Sequence, residues 1–527
     1  MAKAAAQQIS APTIVVKHKG LLTVALMLGT VMQVLDTTIA NVALPHMAAS
    51  LGAAQNEITW VLTSYIVAAA IATPLTGWIS DRVGQKRLFV ISVIVFTIAS
   101  ALCGIATSLP EMVLFRIIQG IGGAFIAPLA QTVLLNINPK ERIGQAMAIY
   151  GMGIMVAPII GPTLGGWLTE SFDWRWVFLI NLPLGIVCVS MLLLYMPQNE
   201  IKIRRFDMFG FGVLALGVGA LQLLLDRGAD NGWFTATETW IELGLVITGF
   251  WVFIVHSLTA EQPFIDLRIF KDLNFSLGAL FMFVVGITLF SGLALLPPLL
   301  QNLMGYPVIF SSVIMAPRGI ATMLSMMIVG RLSGKVDARI LMLFGTAFMA
   351  YSLYAMTSFN LQMDSWPVIW TGMLQGFGMG FVFVPLSTMA FATIAPKFRA
   401  DATAMFALVR NMGQGVGISI VTAVLASMMQ VNHEELASRL TATSQAVTNQ
   451  MPSLLTGNAQ IVSIINGLVT QQAAMLSYLD DFWLMMLLSL SAIPLILMLR
   501  GPKKPPANAK PKSDEEKALE RAHAMAE

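Results

Sequence analysis

The stretch QGIGGAFIAPL at residues 119–129 recurs with substitutions as QGFGMGFVFVPL at residues 375–386, 256 residues further along the chain. Two other segments recur at almost the same offset: PK-x-R at 139 and 396, and GWISDRVGQKR at 77 with a degenerate echo, GRLSGKVDAR, at 330. Each copy has the same place relative to the apolar runs around it. Repetition at one offset predicts two structurally equivalent halves within one chain.

Composition places both halves in a lipid bilayer. Apolar residues make up 56% of the 527 residues and charged residues only 11%, whereas a soluble protein carries roughly a quarter charged residues. We therefore predict an all-α membrane protein in which fourteen apolar runs of about 20 residues each cross the bilayer. The runs lie at 20–44, 58–78, 88–107, 110–135, 143–168, 175–196, 207–226, 238–258, 274–298, 308–330, 339–357, 366–391, 401–428 and 478–499.

The repeat divides these spans into units. Residues 20–196 form a first six-span half and residues 274–499 form a second, while 207–258 hold two inserted spans between them. Two parallel six-span halves around a cavity near the middle of the membrane are typical of transporters.

The positions of the lysines predict the orientation. If the segment 1–19 is cytoplasmic, every lysine of the chain falls on the cytoplasmic side, as the positive-inside rule requires. The even number of spans then places the tail 500–527 in the cytoplasm as well, and its Lys-, Pro- and Glu-rich composition predicts disorder. The N-terminus shows no signal-peptide cleavage pattern, so we expect the first apolar run to remain as a span.

Four charges lie deep within the apolar runs, namely Asp36, Arg116, Arg318 and Arg410. A charge at that depth costs about 2.5–3.5 kcal/mol even on the lenient insertion scale, so charges that are kept there are usually functional. Asp36 and Arg116 lie roughly 12 Å and 9 Å below the same face on antiparallel spans, so they can meet. Arginine keeps its proton, which makes Asp36 the candidate proton carrier and Arg116 its modulator. A static pair that only fixes helix packing is the alternative.

Polar residues near these charges predict a substrate cavity. Gln33 lies one turn from Asp36 and could hydrogen-bond to it. Arg318 and Arg410 lie near the middle of their spans, where a cation that lines a cavity would attract acidic, amphipathic compounds. Hydrogen bonding to backbone carbonyls or to Asn411 and Gln414 is the alternative for both arginines. We assign to the cavity Gln33, Gln119, Arg318, Gln375, Arg410 and Asn411.

Six motifs occur in order on the expected spans. They are LDTTIANVALP from Leu35, GWISDRVGQKR from Gly77, RIIQG from Arg116, GPTLGG from Gly161, WRWVFLINLP from Trp174 and LLLDRG from Leu223. Together they resemble the major facilitator superfamily and, within it, the fourteen-span drug:proton antiporters of the EmrB type. The resemblance covers nearly the whole chain, from about Gly20 to Arg500.

This resemblance implies a major facilitator fold and proton-coupled export of amphipathic toxic compounds across the bacterial inner membrane, without a cofactor. It also implies two protein partners, a periplasmic adaptor and an outer-membrane channel. The resemblance further implies that two motifs, GWISDRVGQKR and GPTLGG, control the change between conformations. Their residues are Gly77, Asp81, Arg82, Gly84, Arg87, Gly161, Pro162, Gly165 and Gly166. Together with Gly151 and Gly153, the glycines at 161, 165 and 166 suit a tight, sliding seam between the halves. Mere close helix packing by these glycines and simple membrane anchoring by Arg87 are the more ordinary interpretations.

The residues carry no signature of an enzyme or of an ATP-driven pump. There is no Walker loop and no HExxH, and GQGVG at 413–417 lies within a span rather than between a strand and a helix. Cys103 and Cys188 lie in apolar runs and predict neither a disulfide nor a metal site, and no nucleic-acid partner is predicted. A dedicated exporter of one metabolite or lipid and a non-transporting sensor on a transporter fold remain as alternative functions.

The segment 429–477 is the one long piece that we predict outside the membrane on the far side. Ile461, Ile464, Ile465 and Leu468 follow helical spacing within it. The segment could therefore hold an amphipathic helix that lies on the membrane or docks an adaptor. A loosely ordered loop folded against its own spans is the alternative.

Overall fold

The computed structural model describes residues 14, 16–54, 57–199, 201, 205–228, 232–440 and 459–500. Fourteen helices in this part of the chain are long and apolar enough to cross a membrane, which confirms the predicted number of spans. Numbered in chain order, α1–α14 are Lys19–Leu51, Trp60–Val83, Gln85–Ile105, Leu109–Ile137, Ile143–Ser171, Trp176–Tyr195, Met208–Arg227, Thr237–Thr259, Leu273–Leu303, Val308–Leu332, Ala338–Met356, Trp366–Ala392, Pro396–Arg439 and Val462–Met498. Most of the predicted N-terminal segment and the tail after residue 500 lie outside the described residues.

The last two helices differ most from the prediction. α13 continues to Arg439 instead of ending at 428, and the helix that becomes α14 begins at Ala459 instead of 478. The alternative of a loosely ordered loop is therefore wrong for residues 429–439 and 459–477, which are helical and which we call the helical extensions; residues 441–458 are not described.

Side-chain contacts between the helical extensions explain the error. The Asn432 amide donates to the Ser477 hydroxyl over 3.0 Å, and His433 Nε2 lies 3.1 Å from Asn466 Oδ1. Hydropathy identifies only the part of a helix that lipid can cover. Helical segments that bond to each other outside that part do not lengthen an apolar run.

Helices pack in the same way in the two halves. In the first half, α1 packs on α5 and α6, and α4 packs on α2 and α3; in the second, α9 packs on α13 and α14, and α12 packs on α10 and α11. The equivalence extends to single residues. A Cβ on Gly120 would lie 2.5 Å from the Tyr65 carbonyl oxygen, and a Cβ on Gly376 would lie 2.0 Å from the Arg318 carbonyl oxygen. Only glycine permits these two close approaches of α4 to α2 and of α12 to α10.

The inserted helices α7 and α8 form a pair that touches both halves. A Cβ on Gly249 would lie 2.7 Å from Gly217 Cα, so α7 and α8 approach closely. Asp226, at the end of α7, accepts a hydrogen bond from Thr63 on α2. Next to it, the Leu225 carbonyl oxygen accepts a hydrogen bond of 2.9 Å from Ser419 on α13.

At the other end of α7, Asp207 joins the two inserted helices. Its carboxylate accepts hydrogen bonds from the N–H groups of Gly210 (2.8 Å) and Phe264 (3.1 Å) and lies 2.9 Å from His256 Nε2 on α8. Partial burial raises the pKa of Asp207, but these hydrogen bonds outweigh it and hold the pKa below its ordinary value. The carboxylate therefore caps α7 and bridges it to α8 in its ionised form.

The two halves meet along α5 and α10. A Cβ on Gly144 would clash with Ser333, one on Gly151 would lie 2.8 Å from Met326 Sδ, and one on Gly319 would clash with Ile159. Small residues on these helices thus let the halves pack closely. The largest buried apolar cluster also includes residues from both halves, whereas two smaller clusters each lie within one half.

Contacts between the halves are also made at the end of the bundle that holds Gly84, which we call the lysine-rich end. The hydroxyls of Thr132 on α4 and Thr403 on α13 lie 2.6 Å apart. Arg399 Nη1 donates to the Leu135 carbonyl oxygen over 3.1 Å and to Asn136 Oδ1 over 2.9 Å. α13 therefore holds α4 at this end.

Candidate functional site

Asp36 lies in the middle of α1 and accepts hydrogen bonds from three side chains. Arg116 Nη1 on α4 lies 2.5 Å from Oδ2, and both side chains are completely buried. Gln119 Nε2 donates to Oδ1 over 2.8 Å, and Asn181 Nδ2 on α6 donates to the same oxygen over 2.9 Å. Three helices are thereby joined at one carboxylate, which we call the Asp36 network.

The start of α4 sets the depth of Arg116. Ser108 precedes the helix with an extended backbone, and Pro110 occupies the first turn, where its missing N–H costs nothing. The Glu111 carboxylate accepts a hydrogen bond of 3.0 Å from the Thr107 N–H and satisfies a donor next to the helix start. These local signals fix the first turn, so Arg116 lies two turns into the span.

The Arg116 guanidinium is held on several sides besides Asp36. Its Nε donates to the Val61 carbonyl oxygen over 2.8 Å, and its Nη1 also donates to Gln119 Oε1 over 2.8 Å. Its central carbon lies 4.3 Å from the Tyr65 ring centroid, close enough for a cation–π interaction. Its Nη2 is buried without a hydrogen-bond partner. The charge therefore has a fixed position, and it contacts α2 as well.

This arrangement is suited to exchanging one proton. Arginine does not give up its proton in proteins, so Asp36 is the member of the ion pair that can change charge. Protonation would replace the carboxylate by a neutral acid and would weaken the charge-assisted hydrogen bonds to it. Because Asp36 and its partners lie on three different helices and Arg116 also contacts α2, such a change would act on the packing of the whole first half.

Sequence reasoning located part of this network. The structure brings Asp36 and Arg116 together, and Gln119, which we assign to the substrate cavity, bonds to both. Gln33 is not bonded to Asp36; its Oε1 is buried without a partner, because other donors already occupy both Asp36 oxygens. Asn181 was missed, although an amide within the apolar run of WRWVFLINLP was a signal that could have identified it.

In the second half, Arg318 and Gln375 are buried and unpartnered. Arg318 is 8% exposed, and its Nη1 and Nη2 have no hydrogen-bond partner. Gln375, which corresponds to Gln119 in the repeat, is 2% exposed, and neither its oxygen nor its nitrogen is bonded. Among the described residues, no hydrogen bond joins either side chain to the Asp36 network.

Arg410 and Asn411 form a separate polar spot on α13. Both are half-buried, and Arg410 Nη2 donates a long hydrogen bond of 3.5 Å to Asn411 Oδ1. Arg410 Nε is buried without a partner. The six residues that we assign to a cavity therefore lie in three places rather than in one cluster.

The predicted gating loop contains one tight contact between the halves. Gly77 on α2 faces Asp401 on α13 so closely that a Cβ on Gly77 would lie 1.6 Å from Asp401 Oδ1. Gly84 has a φ of +92°, a conformation that glycine adopts without strain. Arg87 is exposed, and the Arg82 guanidinium carbon lies 5.6 Å from the Trp78 ring centroid. Asp81 is half-buried within the same turn.

The glycines of GPTLGG do not form the seam between the halves that the sequence suggested. A Cβ on Gly161 would lie 2.3 Å from Thr38 Oγ1, and one on Gly165 would lie 3.1 Å from Ile39, so both pack on α1 of the same half. Gly166 has open space beside it, and Pro162 is half-buried within the continuous helix. α5 has two small-residue faces, and the other one, described above, contacts α10. A single sequence does not show which of the two faces packs on α1 and which on α10.

Comparisons with known proteins agree with this architecture. A family model described as Major Facilitator Superfamily matches residues 26–418. The chain is 36% identical over 470 residues to the multidrug export protein EmrB of Escherichia coli strain K12, covering 88% of this chain and 92% of that protein. It is 35% identical over 486 residues to the fatty acid resistance protein FarB of Neisseria gonorrhoeae, covering 91% and 96%. The structure of the proton:xylose symporter XylE bound to 6-bromo-6-deoxy-D-glucose matches with a TM-score of 0.58 and 13% identity, covering 92% of this chain and 96% of that one; this likeness concerns the fold alone.

Proposed function

Because the chain belongs to the Major Facilitator Superfamily, whose members are transporters and not enzymes, we propose that it exports amphipathic toxic compounds across the bacterial inner membrane in exchange for protons. The observation that carries the proposal is the buried ion pair of Asp36 and Arg116. A carboxylate at this depth is costly, and here it is tied to helices that a transport cycle must move. Similarity to proteins named for multidrug export and fatty acid resistance supports the class of substrate.

The contacts at the lysine-rich end suggest which state of the cycle is present. By the positive-inside rule, that end faces the cytoplasm. The joined halves there favour a conformation closed to the cytoplasm, in which a proton from the outside would reach Asp36 and substrate would leave outward. The membrane potential supplies about 2.3 kcal/mol per charge moved across 100 mV. Neutralisation of Asp36 would then free Arg116 and allow the halves to rearrange.

Transport by the purified protein in lipid vesicles tests this function. An imposed proton gradient should drive substrate movement in the opposite direction, and substrate added without a gradient should move protons. Abolition by a protonophore is expected. Substrate movement that follows its own gradient and ignores the proton gradient would contradict antiport, and no movement of any substrate would favour the sensor alternative.

Export of one acidic lipid is the second candidate function. Similarity to a fatty acid resistance protein and an unpaired buried arginine, Arg318, both favour a carboxylate as the ligand. A substrate carboxylate could accept charge-assisted hydrogen bonds from the two free guanidinium nitrogens. A resistance panel that includes fatty acids, neutral drugs and permanent cations separates the two candidates.

Arg318→Ala is expected to weaken export of acidic compounds about tenfold more than export of permanent cations, because a hydrogen bond to a charged group contributes about 1.5–3 kcal/mol. Arg331→Ala, which removes an exposed arginine from the last turn of the same helix, is the control and should leave both classes unchanged. The measurement is the initial rate of export for matched acidic and cationic substrates. Equal losses for the two classes would make Arg318 structural.

The helical extensions are the proposed docking site for a periplasmic adaptor. Residues 459–477 extend the helix by about 28 Å and residues 429–439 by about 16 Å, a length that would reach well beyond the lipid. Val462, Ile464 and Leu468 are 47%, 65% and 56% exposed on this segment. Apolar side chains at helical spacing are the feature by which one helix docks on another protein.

The double substitution Ile464→Asp and Leu468→Asp is expected to remove adaptor binding and cellular drug resistance. Charges on the apolar stripe would oppose its burial in an interface, while substrate binding by the purified transporter should persist because the spans form the cavity. Ser463→Asp with Gln472→Asp adds equal charge at exposed polar positions of the same helix and is the control. Unchanged adaptor pull-down and resistance in the apolar-stripe variant would end the docking hypothesis.

A further inference from the structure

The second half contains a carboxylate and an arginine that are both buried and both unpaired. Asp481 on α14 is 0% exposed, and neither of its carboxylate oxygens has a hydrogen-bond partner. The two terminal nitrogens of Arg318 are in the same situation. An isolated ionised carboxylate in such surroundings would be very costly, and a bound proton would avoid that cost.

The repeat shows what the second half lacks. At the offset of 256 residues, Asp36 corresponds to Gly292 on α9, and Arg116 corresponds to Gly372 on α12. Neither residue of the first ion pair therefore has a charged counterpart at its own position. The positions equivalent to Asp36 and Arg116 therefore hold no ion pair in the second half.

Arg318 fills this gap from another helix. It corresponds to Tyr65, the residue that contacts Arg116 in the first half, as the equivalent glycine contacts of α4 and α12 demonstrate. A Cβ on Gly292 would lie 3.4 Å from Arg318 Nη1, and a Cβ on Gly372 would lie 3.5 Å from Arg318 Cβ. The guanidinium thus occupies the space that Asp36 and Arg116 share in the first half.

Asp481 is likewise the counterpart of a member of the Asp36 network. FLIN at 178–181 on α6 and YLDD at 478–481 on α14 share a leucine at the second position. Aligned in this way, Asp481 takes the place of Asn181, which donates to Asp36. α9 packs on α14 as α1 packs on α6. Both halves therefore place one aspartate and one arginine around the same local centre, but on different helices.

Asp481 and Arg318 lie at similar heights along the membrane normal. Arg318 is 14 residues from the end of α10 at Leu332, or about 21 Å, and Asp481 is 17 residues from the end of α14 at Met498, or about 26 Å. Met485 lies one turn from Asp481 on the same face of α14. A Cβ on Gly292 would lie 3.6 Å from the Met485 methyl carbon. A shift of about one turn would join the two charges.

We propose that Asp481 is a second proton-carrying residue, which is protonated in this conformation and loses its proton when the second half rearranges to pair it with Arg318. In that step the carboxylic O–H bond breaks, the proton passes to water, and the carboxylate accepts hydrogen bonds from the guanidinium. The inference rests on the proposed antiport function and extends it: each cycle carries one proton through each half.

Other titratable or charged groups near Asp481 do not replace Arg318 in this role. α9 carries none along its whole length. Asp480, next in sequence, is exposed and accepts a hydrogen bond of 3.1 Å from Asn432. Further groups on the helices around this part of α14 include Tyr478 on α14, Tyr351 and Tyr354 on α11, and Arg410, His433 and Glu434 on α13. Among these groups only Arg410 carries a permanent positive charge, and its Nη2 donates to Asn411 and not to Asp481.

Asp481→Asn tests the proposal through the stoichiometry of transport. The number of protons exchanged per substrate, measured from reversal potentials in vesicles, should fall by one, while substrate counterflow without a proton gradient continues. Asp480→Asn is the matched control and should keep the wild-type stoichiometry. An unchanged stoichiometry in Asp481→Asn would overturn the proposal, whereas loss of antiport in wild-type protein would overturn the proposed function itself.

A measurement on the wild-type protein does not depend on how the variant folds. A carbodiimide that reacts with protonated carboxyl groups in apolar surroundings should modify Asp481, as shown by peptide mass spectrometry. Labelling should decrease when substrate or pH drives the protein into its other conformation. Absence of modification at Asp481 under conditions that label Asp36 would also overturn the proposal.

Discussion

Replacing Asp36 with asparagine is expected to reduce proton-driven export to the background of vesicles without protein. The amide has the size of the protonated acid, and its oxygen can still accept from Gln119 and Asn181, but it cannot bind or release a proton. Arg116 keeps hydrogen bonds to the Val61 carbonyl and to Gln119 Oε1. The variant should therefore insert and fold, bind substrate, and fail only in coupling.

Two comparisons isolate the effect of the Asp36 charge. Asp36→Glu keeps a titratable group and should retain part of the activity. Asp173→Asn makes the same chemical change in an exposed ion pair, where Asp173 lies 3.5 Å from Arg175, and should transport normally because exposed pairs contribute little. The measurement is uptake into inverted vesicles under an imposed pH gradient. Wild-type uptake by Asp36→Asn would refute the assignment of Asp36 as the carrier.

Gly77→Val is expected to prevent closure of the lysine-rich end and to stop turnover. The new side chain would collide with Asp401 of the other half, since a Cβ alone would lie 1.6 Å from Oδ1 and 3.2 Å from the backbone nitrogen. Overpacking of this kind costs about 1–3 kcal/mol, and here it destabilises only the conformation in which this end is closed. The ratio of closed to open molecules should then fall about 5- to 150-fold.

Accessibility at the lysine-rich end measures that ratio. A cysteine at Thr403, which is buried in the present conformation, should react with an impermeant maleimide much faster in the Gly77→Val background than with Gly77 intact. The native Cys103 and Cys188 are buried. Gly212→Val on α7, where a Cβ would meet nothing within 4 Å, is the control and should change neither labelling nor transport. Equal labelling in both backgrounds would show that Gly77 does not govern closure.

The sequence predicts the parts of this molecule that depend on distance along one helix. The fourteen apolar runs and the similar depths of Asp36 and Arg116 follow from counting residues at a fixed rise, and the repeat at Gln119 and Gln375 is read from the letters alone. These features need no knowledge of how one helix is rotated against the next.

Rotation of the helices is what the sequence leaves open. Gly161 and Gly151 lie on one helix, yet the first packs on α1 and the second on α10 of the other half. Asn181 joins Asp36 from 145 residues away, and Gln33, three residues away, does not. The continuation of α13 and α14 into the helical extensions was missed for a different reason, because helix beyond the lipid does not lengthen an apolar run.

The attachment of α7 to both halves limits how the transporter can move. If the halves rock against each other, the bonds from Thr63 to Asp226 and from Ser419 to the Leu225 carbonyl pull neighbouring residues of one helix toward two bodies that separate. One of the two hydrogen bonds must therefore break in every cycle while the other is kept. The hydroxyl–carbonyl bond is the weaker of the two, since it involves no charge, so the inserted pair would travel with the first half and act as a latch on the second. Such a latch would slow uncoupled movement of protons or substrate between transport cycles. A twelve-span transporter, which has no inserted pair, would need another contact for this role.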